Sequence, residues 1–281
     1  MPQELISSHR NPLVKRIRKL QSKKYRQLEG VYFIEGIYVV LTAFEQRAPL
    51  ETIVYAPDLL TSDVALRAVE EQRAAEIDVV AVTADVFQLL SGRENAVGLG
   101  AVVRSRIGTV EQLGVSGDDV FVAVEDISDP GNLGTVIRTV DGAGAAGVIL
   151  LGQSVDPFHP TAVKASMGAI FSVPLAETES VEELWSWARE RGVQTIATSA
   201  HAAQSFWEAP YRFPALLLLG SEGAGLAEDV QRNADLAVSI PMYGASSSLN
   251  LAVAAGLMLY ELRRAGDPSL RRRLADELGS G

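Results

Sequence analysis

Six short, nearly uninterrupted apolar runs constrain this 281-residue chain more than any other feature: FVAVEDI (121–127), GVILLG (147–152), FSVPL (171–175), VQTIATS (193–199), ALLLLGS (215–221) and LAVSIP (236–241). Between them the spacing predicts helices from about Leu133, near Thr161 to Gly168 and near Val181 to Arg191, and a long apolar helix closes the series. Strands without alternation of apolar and polar residues are buried on both faces, and strands separated by helices pair in parallel beneath helical layers. An α/β domain on a parallel sheet is therefore expected over residues 115–281. A polar, Gly-containing stretch near residues 105 to 118 sets its boundary.

Upstream, residues 1–108 read as a smaller mixed α/β unit. VYFIEGIYVVLTAF starts as a strand, passes Glu35-Gly36 and continues with helical spacing; ETIVYAP, DVVAVT and GLGAVVR read as short strands, with a charged helix around Ala65 to Ala75. With 47% apolar and 21% charged residues, the chain has ample material for a core.

Composition also excludes whole classes of chemistry. There are no cysteines, which removes disulfides, thiolate-bound zinc and a thiol nucleophile; the three histidines (His9, His159, His201) lack ligand spacing, so no metal site is expected. The longest apolar runs, Leu216 to Leu219 and Leu249 to Tyr260, are too short to span a bilayer, and no signal peptide opens the sequence. A soluble cytoplasmic protein without a membrane partner is expected.

The formal charge of −10 is unevenly spread. Residues 1 to 26 hold eight basic side chains (Arg10, Lys15, Arg16, Arg18, Lys19, Lys23, Lys24, Arg26) against Glu4 alone, a local +7 that leaves −17 for the remainder. Such a segment reads as a surface for a polyanion such as RNA, or else as a solvated helix face.

GAGAAG (142–147) satisfies the dinucleotide pattern GxGxxG, but that pattern must follow a strand and open a helix. Here a helical stretch precedes it and a strand follows, so these glycines are expected to end a helix and permit close packing.

Three segments carry the chemistry: DPGNLGTVIRTVDGAG (129–144), LLLLGSEGAGL (216–226) and IPMYGASSSLNLAVAAGLMLYEL (240–262). Together they resemble the three motifs of the SpoU (TrmH-like) RNA 2'-O-ribose methyltransferases of the SPOUT superfamily. The opening HRNPLVKRIRKLQSKKYRQLEGVYFIEG and the unit after it resemble that family's N-terminal, ribosomal-protein-like substrate-binding domain. A departure is TVDGAGAAG, where an aromatic residue often follows the Asp-containing turn. The resemblance implies a C-terminal trefoil knot, which periodicity alone argues against because knots are rare. It also implies S-adenosyl-L-methionine as cofactor, RNA as partner and a homodimer. The near-uniform apolarity of Leu249 to Leu262 fits a helix buried on several faces.

By itself Arg138 reads as a helix-surface cation in an ion pair. The resemblance makes it the catalytic arginine, a two-pronged clamp on phosphate that stabilises the developing alkoxide. A guanidinium is hard to deprotonate, and the general base stays open. Asn132 and Ser246 to Ser248 read as helix caps, Glu222 as a surface carboxylate. The resemblance turns Asn132, Glu222, Ser248 and Asn250 into catalytic-site residues. It implies a cofactor pocket built from backbone at Gly220, Ile240 and Leu249, with Leu219, Ser221, Gly223, Met242 and Ser248 beside them; Thr198 and Ser199, which end the preceding strand, read either as further lining or as satisfied strand-end hydroxyls. In HPTAVKASMGAIFSVP (159–174), Lys164 or Ser166 is a candidate to face RNA, though an exposed lysine needs no ligand.

The expected activity is S-adenosylmethionine-dependent 2'-O-ribose methylation of structured RNA, ribosomal RNA ahead of transfer RNA. A non-catalytic RNA-binding protein and a nucleotide-dependent dehydrogenase are the competing classes.

Overall fold

The computed structural model describes residues 5–92 and 94–267, so the ends of the two expected domains, 1–4 and 268–281, lie outside the described residues. The chain divides into two compact units. The first runs to Ser105 and includes Asp156–Ser172; the second comprises Arg106–Val155 and the chain from Val173 onward. A linear reading of the sequence gave no sign that residues 156–172 join the first unit.

The first unit begins with helices α1 (Pro12–Lys19) and α2 (Lys23–Glu29). Then follow β1 (Val31–Glu35), α3 (Ile37–Glu45), β2 (Leu50–Tyr55), α4 (Asp63–Ala74), β3 (Asp78–Ala81), α5 (Ala84–Leu90) and β4 (Leu99–Arg104). Its sheet has the order β1-β4-β2-β3, with β1 and β2 antiparallel to β4 and β3 parallel to β2. Asn11 starts α1 by accepting a hydrogen bond from the Leu13 N–H, with Pro12 at the first helical position. Val14, Ile17 and Leu20 then turn inward, and Val14 and Ile17 share a cluster with Val86, Phe87 and Leu90 of α5.

The basic opening is thus a pair of folded helices, and not all of its charge faces water. Arg10, Lys15, Arg18, Lys19, Lys23 and Lys24 are exposed. Arg16 is half-buried between Glu29, at 2.5 Å, and Glu51. Arg26 corrects the expectation of a basic residue facing RNA: it is 4% exposed. Its Nε and an Nη reach Oδ2 of Asp156 at 2.8 and 2.7 Å, and it donates to the carbonyls of Leu20 and Gln21. A buried guanidinium needs both a counter-charge and acceptors, and this one has them.

The second unit follows with β5 (Val120–Glu125), α6 (Pro130–Gly142) and β6 (Gly147–Leu151); α7 (Pro160–Ser166) belongs to the first unit. Next come β7 (Leu175–Thr178), α8 (Val181–Glu190), β8 (Gln194–Thr198), β9 (Gln204–Ser205), β10 (Ala215–Leu219), α9 (Glu228–Asn233), β11 (Leu236–Ser239) and α10 (Leu251–Gly266). The sheet order is β7-β6-β5-β10-β8-β11-β9, and every pairing is parallel. Every residue of β6 and β10 is buried. The expected α/β unit with a parallel sheet is what forms.

FSVPL is a partial miss. Ala169–Phe171 makes a turn of 3-10 helix and the strand starts only at Leu175. Pro174 lacks an N–H for the ladder, while its carbonyl accepts from the Val148 N–H at 2.9 Å. Ser166 is fully buried and donates to the Val163 carbonyl at 2.8 Å, so it does not face RNA. α6 ends at Gly142, Gly144 takes φ +62°, and Gly147 opens β6, which leaves no dinucleotide turn at GAGAAG.

Removing one partner of a buried ion pair strands the other charge. Arg26→Ala should destabilise the protein by about 3 kcal/mol, whereas Lys23→Ala on the exposed face should stay within about 0.5 kcal/mol of the parent. Chemical denaturation compares them, and equal midpoints would contradict a structural role for Arg26.

Candidate active site

The site grows from the carboxyl ends of the central strands. β10 lies between β5 and β8, with Leu219 opposite Val124 and Leu218 opposite Ala197. From β5 the chain moves toward β6 and from β10 toward β11, on the other side. This is the point of an open parallel sheet where a crevice forms above the strand ends.

A cleft of about 380 Å³ occupies this position, within the range of small-molecule sites. Thr198, Leu219, Gly220, Ser221, Gly223, Ile240, Met242, Ser248 and Leu249 all line it, as does Glu222. The loop after β10 doubles back on itself. Ser221 bridges Gly225, whose N–H donates to the Ser221 carbonyl at 3.0 Å. A Cβ on Gly220 would lie 1.9 Å from the Gly225 carbonyl carbon, so only glycine admits this return. The Thr198 hydroxyl donates to the Leu218 carbonyl at 3.0 Å, leaving its oxygen able to accept.

At one side of the cleft the three motifs meet. The Asn250 side-chain amide donates to Asn132 Oδ1 at 3.0 Å, and Asn132 Nδ2 donates in turn to Glu222 Oε1 at 2.6 Å. Each asparagine is fixed by a helix end. Asn250 Oδ1 caps α10 through the Ala252 N–H at 2.9 Å, and the Asn132 N–H is held at 2.7 Å by Asp129, the cap of α6. α10 then runs alongside α6 in the same direction: Gly256 faces Thr139, the Tyr260 hydroxyl reaches the Gly142 carbonyl, and Arg263 Nε donates to the Ala143 carbonyl at 2.7 Å.

Arg138 stands elsewhere. It is exposed on α6, and no cleft-lining residue comes from that helix. Six residues beyond Asn132, it lies roughly 9 Å further along the axis and about 240° around it. Among the described residues it has no ion-pair or hydrogen-bond partner. Within one chain, Asn132, Glu222 and Asn250 converge and Arg138 does not join them. The exposed basic candidates from Arg10 to Lys24 belong to the first unit.

The sequence also missed residues of the cleft. His201, Gln231 and Ala254 line it, and Gln231 holds the glycine loop by donating to the Leu226 carbonyl at 2.8 Å. Gln231 sits on α9, a helix too short for a periodic signal but marked by Glu228 and Asp229 in its first turn. Glu125 ends β5 and accepts the Ala227 N–H at 2.8 Å, fastening the far end of the same loop. Burial, and then the nearby Asp126 and Asp229 carboxylates, hold its carboxyl above the ordinary glutamate value against the opposing pull of that N–H.

A carboxyl raised in this way contributes stability that is complete below its ordinary value of about 4.3 and is lost as pH rises through the shifted one. Glu125→Gln keeps an acceptor for Ala227 but never ionises. Its melting temperature should match the parent in acid and exceed it increasingly as pH climbs through the carboxylate range; a difference independent of pH would contradict the assignment.

The chain is also similar to known proteins. Residues 119–260 match the model of the SpoU rRNA methylase family, and residues 11–101 match an MRM3-like substrate-binding domain. The chain is 30% identical over 251 residues to a 23S rRNA (uridine(2479)-2'-O)-methyltransferase of Streptomyces viridochromogenes, spanning 87% of this chain and 86% of that protein. It is 28% identical over 265 residues to a 23S rRNA (guanosine(2553)-2'-O)-methyltransferase of Bacillus subtilis, spanning 92% and 98%. The crystal structure of an AdoMet-bound rRNA methyltransferase from Sinorhizobium meliloti superposes with a TM-score of 0.85 at 34% identity, covering 93% of this chain and 98% of that one. With its three motifs gathered at one sheet edge and both family models matched in order, the chain belongs to the SpoU rRNA methylase family.

Proposed function

We propose that the protein transfers a methyl group from S-adenosylmethionine to a ribose 2'-hydroxyl of structured RNA, ribosomal ahead of transfer RNA. The observation that carries this is the Asn250–Asn132–Glu222 chain beside a cleft lined by all nine residues assigned to the cofactor. The cleft suits the cofactor: Leu219, Ile240 and Leu249 offer apolar surface and backbone groups, and the doubled-back loop at Gly220 lets a ligand approach the main chain. When bound, the cofactor supplies an electrophilic methyl group on a sulfonium. Asn132, Glu222, Ser248 and Asn250 present donors and acceptors at the mouth, where they orient the ribose; most of the rate advantage then comes from position. Arg138 faces away from its own chain's cleft, so it serves the reaction at the cleft of a second copy in the dimer, where it grips the neighbouring phosphate and stabilises the oxygen as its proton leaves. Ribosomal RNA is favoured because two relatives are named for 23S rRNA and the first unit matches a substrate-binding domain.

Dimerisation and the knot belong to the same proposal. Val253, Leu257 and Tyr260 of α10 are 52%, 43% and 60% exposed and fall at one-turn spacing, an apolar stripe suited to a second copy. The return of the chain from β11 to lie on α6, past two intervening strands, supports the trefoil knot that the family resemblance implies. We place the enzyme in the cytoplasm with its RNA; among the described residues no helix is long and apolar enough to cross a membrane.

Arg138→Ala should leave S-adenosylmethionine affinity near normal by calorimetry and lower single-turnover methyl transfer by about a hundredfold or more. Arg138→Lys should recover little, since an ammonium lacks the paired donors. Near-normal transfer by the alanine variant would sink the role given to Arg138. Light scattering should give about twice the 30.1 kDa chain mass, and Leu257→Glu should shift it to one; a monomeric parent protein would remove the dimer.

A further inference from the structure

The segment Asp156–Ser172 folds into the first unit and, with β1, the start of α3 and the turn between α1 and α2, encloses a second cleft of about 450 Å³. Two of its walls are large apolar side chains left in water: Tyr38 is 61% and Met167 42% exposed. Phe33 closes the side formed by β1. Met167 is held at φ +50°, a left-handed conformation uncommon for a long side chain. Polar groups share the cavity with these walls, namely the Gln21 amide, the Lys164 ammonium and the Glu35 carboxylate, which takes hydrogen bonds from Ser91 and the Gly92 N–H. Gln21 also ties the cleft to the exposed Lys19 and Lys23, which flank it in the turn.

Apolar walls, a few polar groups and this volume describe a small-ligand site, and the exposed Lys19, Lys23 and Lys164 beside or within it select an anionic ligand. An aromatic face receives a base from an unpaired strand, an amide and a carboxylate read the base edge, and a lysine meets the phosphate beside it. A paired base, locked in its stack, has no way in. We propose that this cleft takes one unpaired nucleobase of the substrate RNA, stacked on Tyr38, with Gln21 and Glu35 at its edge and Lys164 at its phosphate. The proposal rests on the RNA-modifying function argued above and adds to it a recognition site outside the methyltransferase unit.

The test uses the full chain with two labelled probes, a short mixed-sequence single-stranded RNA and an RNA duplex, read by fluorescence anisotropy beside cofactor calorimetry. Tyr38→Ala should weaken single-strand binding about tenfold, the scale of one lost base stack, and leave duplex and cofactor binding unchanged. Tyr38→Phe, which keeps the ring, should bind like the parent. Lys164→Gln should lower the slope of log affinity against log salt by about 0.7 on the single strand. Equal single-strand affinity in parent and Tyr38→Ala, or an equal loss in Tyr38→Phe, overturns the cleft and leaves the RNA-modifying function standing. A parent protein that binds neither probe overturns both.

Discussion

The arrangement of the second unit depends on β10 lying parallel between β5 and β8. Five residues, Ala215 to Leu219, are wholly buried there, so the strand needs apolar cover on both faces and a partner on both edges. That requirement fixes where the chain must emerge: the glycine loop after Leu219 opens beside the start of α6, which Asp129 caps and whose first turn carries Asn132. Chemistry follows from this adjacency. Asn132 and Glu222 are 90 residues apart in sequence, Asn132 and Asn250 are 118 apart, and all three join in one hydrogen-bonded chain because the ends of β5 and β10 are neighbours and the chain after β11 returns to lay α10 on α6.

The same residues serve structure and site together. Asp129 and Asn250 cap α6 and α10, and the parallel packing of those helices sets the distance between Asn132 and Asn250. A helix cap is worth about 1 kcal/mol, a modest term, yet here it also sets the direction of the side chain proposed to meet the substrate. Gly220 works in the same double sense, since its missing Cβ lets the loop fold back and leaves backbone facing the cleft.

Much of this was legible in the sequence, for reasons that can be named. Buried parallel strands write themselves as unbroken apolar runs, so the strands at Val120, Gly147, Gln194, Ala215 and Leu236 were all anticipated. FSVPL failed because apolarity outweighed the proline that denies the ladder a donor. The loop residues that line the cleft together were named through motif resemblance, since backbone-lined pockets leave few side-chain marks. His201 and Gln231 escaped because each reaches the cleft through tertiary placement alone. Arg26 escaped for the opposite reason: charge counting assigns every basic residue to the surface, and only the fold reveals Asp156, 130 residues away, waiting for it. The transfer of residues 156–172 to the first unit is of the same kind, a contact that local periodicity does not encode.

The central claim is that this site methylates ribose in RNA, and the most direct measurement is mass-spectrometric mapping of 2'-O-methylated nucleotides in total RNA from cells with and without the protein. The account predicts at least one ribosomal RNA position whose 2'-O-methylation disappears with the gene and returns with the parent chain, while Arg138→Ala fails to restore it. Identical ribose methylation maps in the presence and absence of the protein would contradict it.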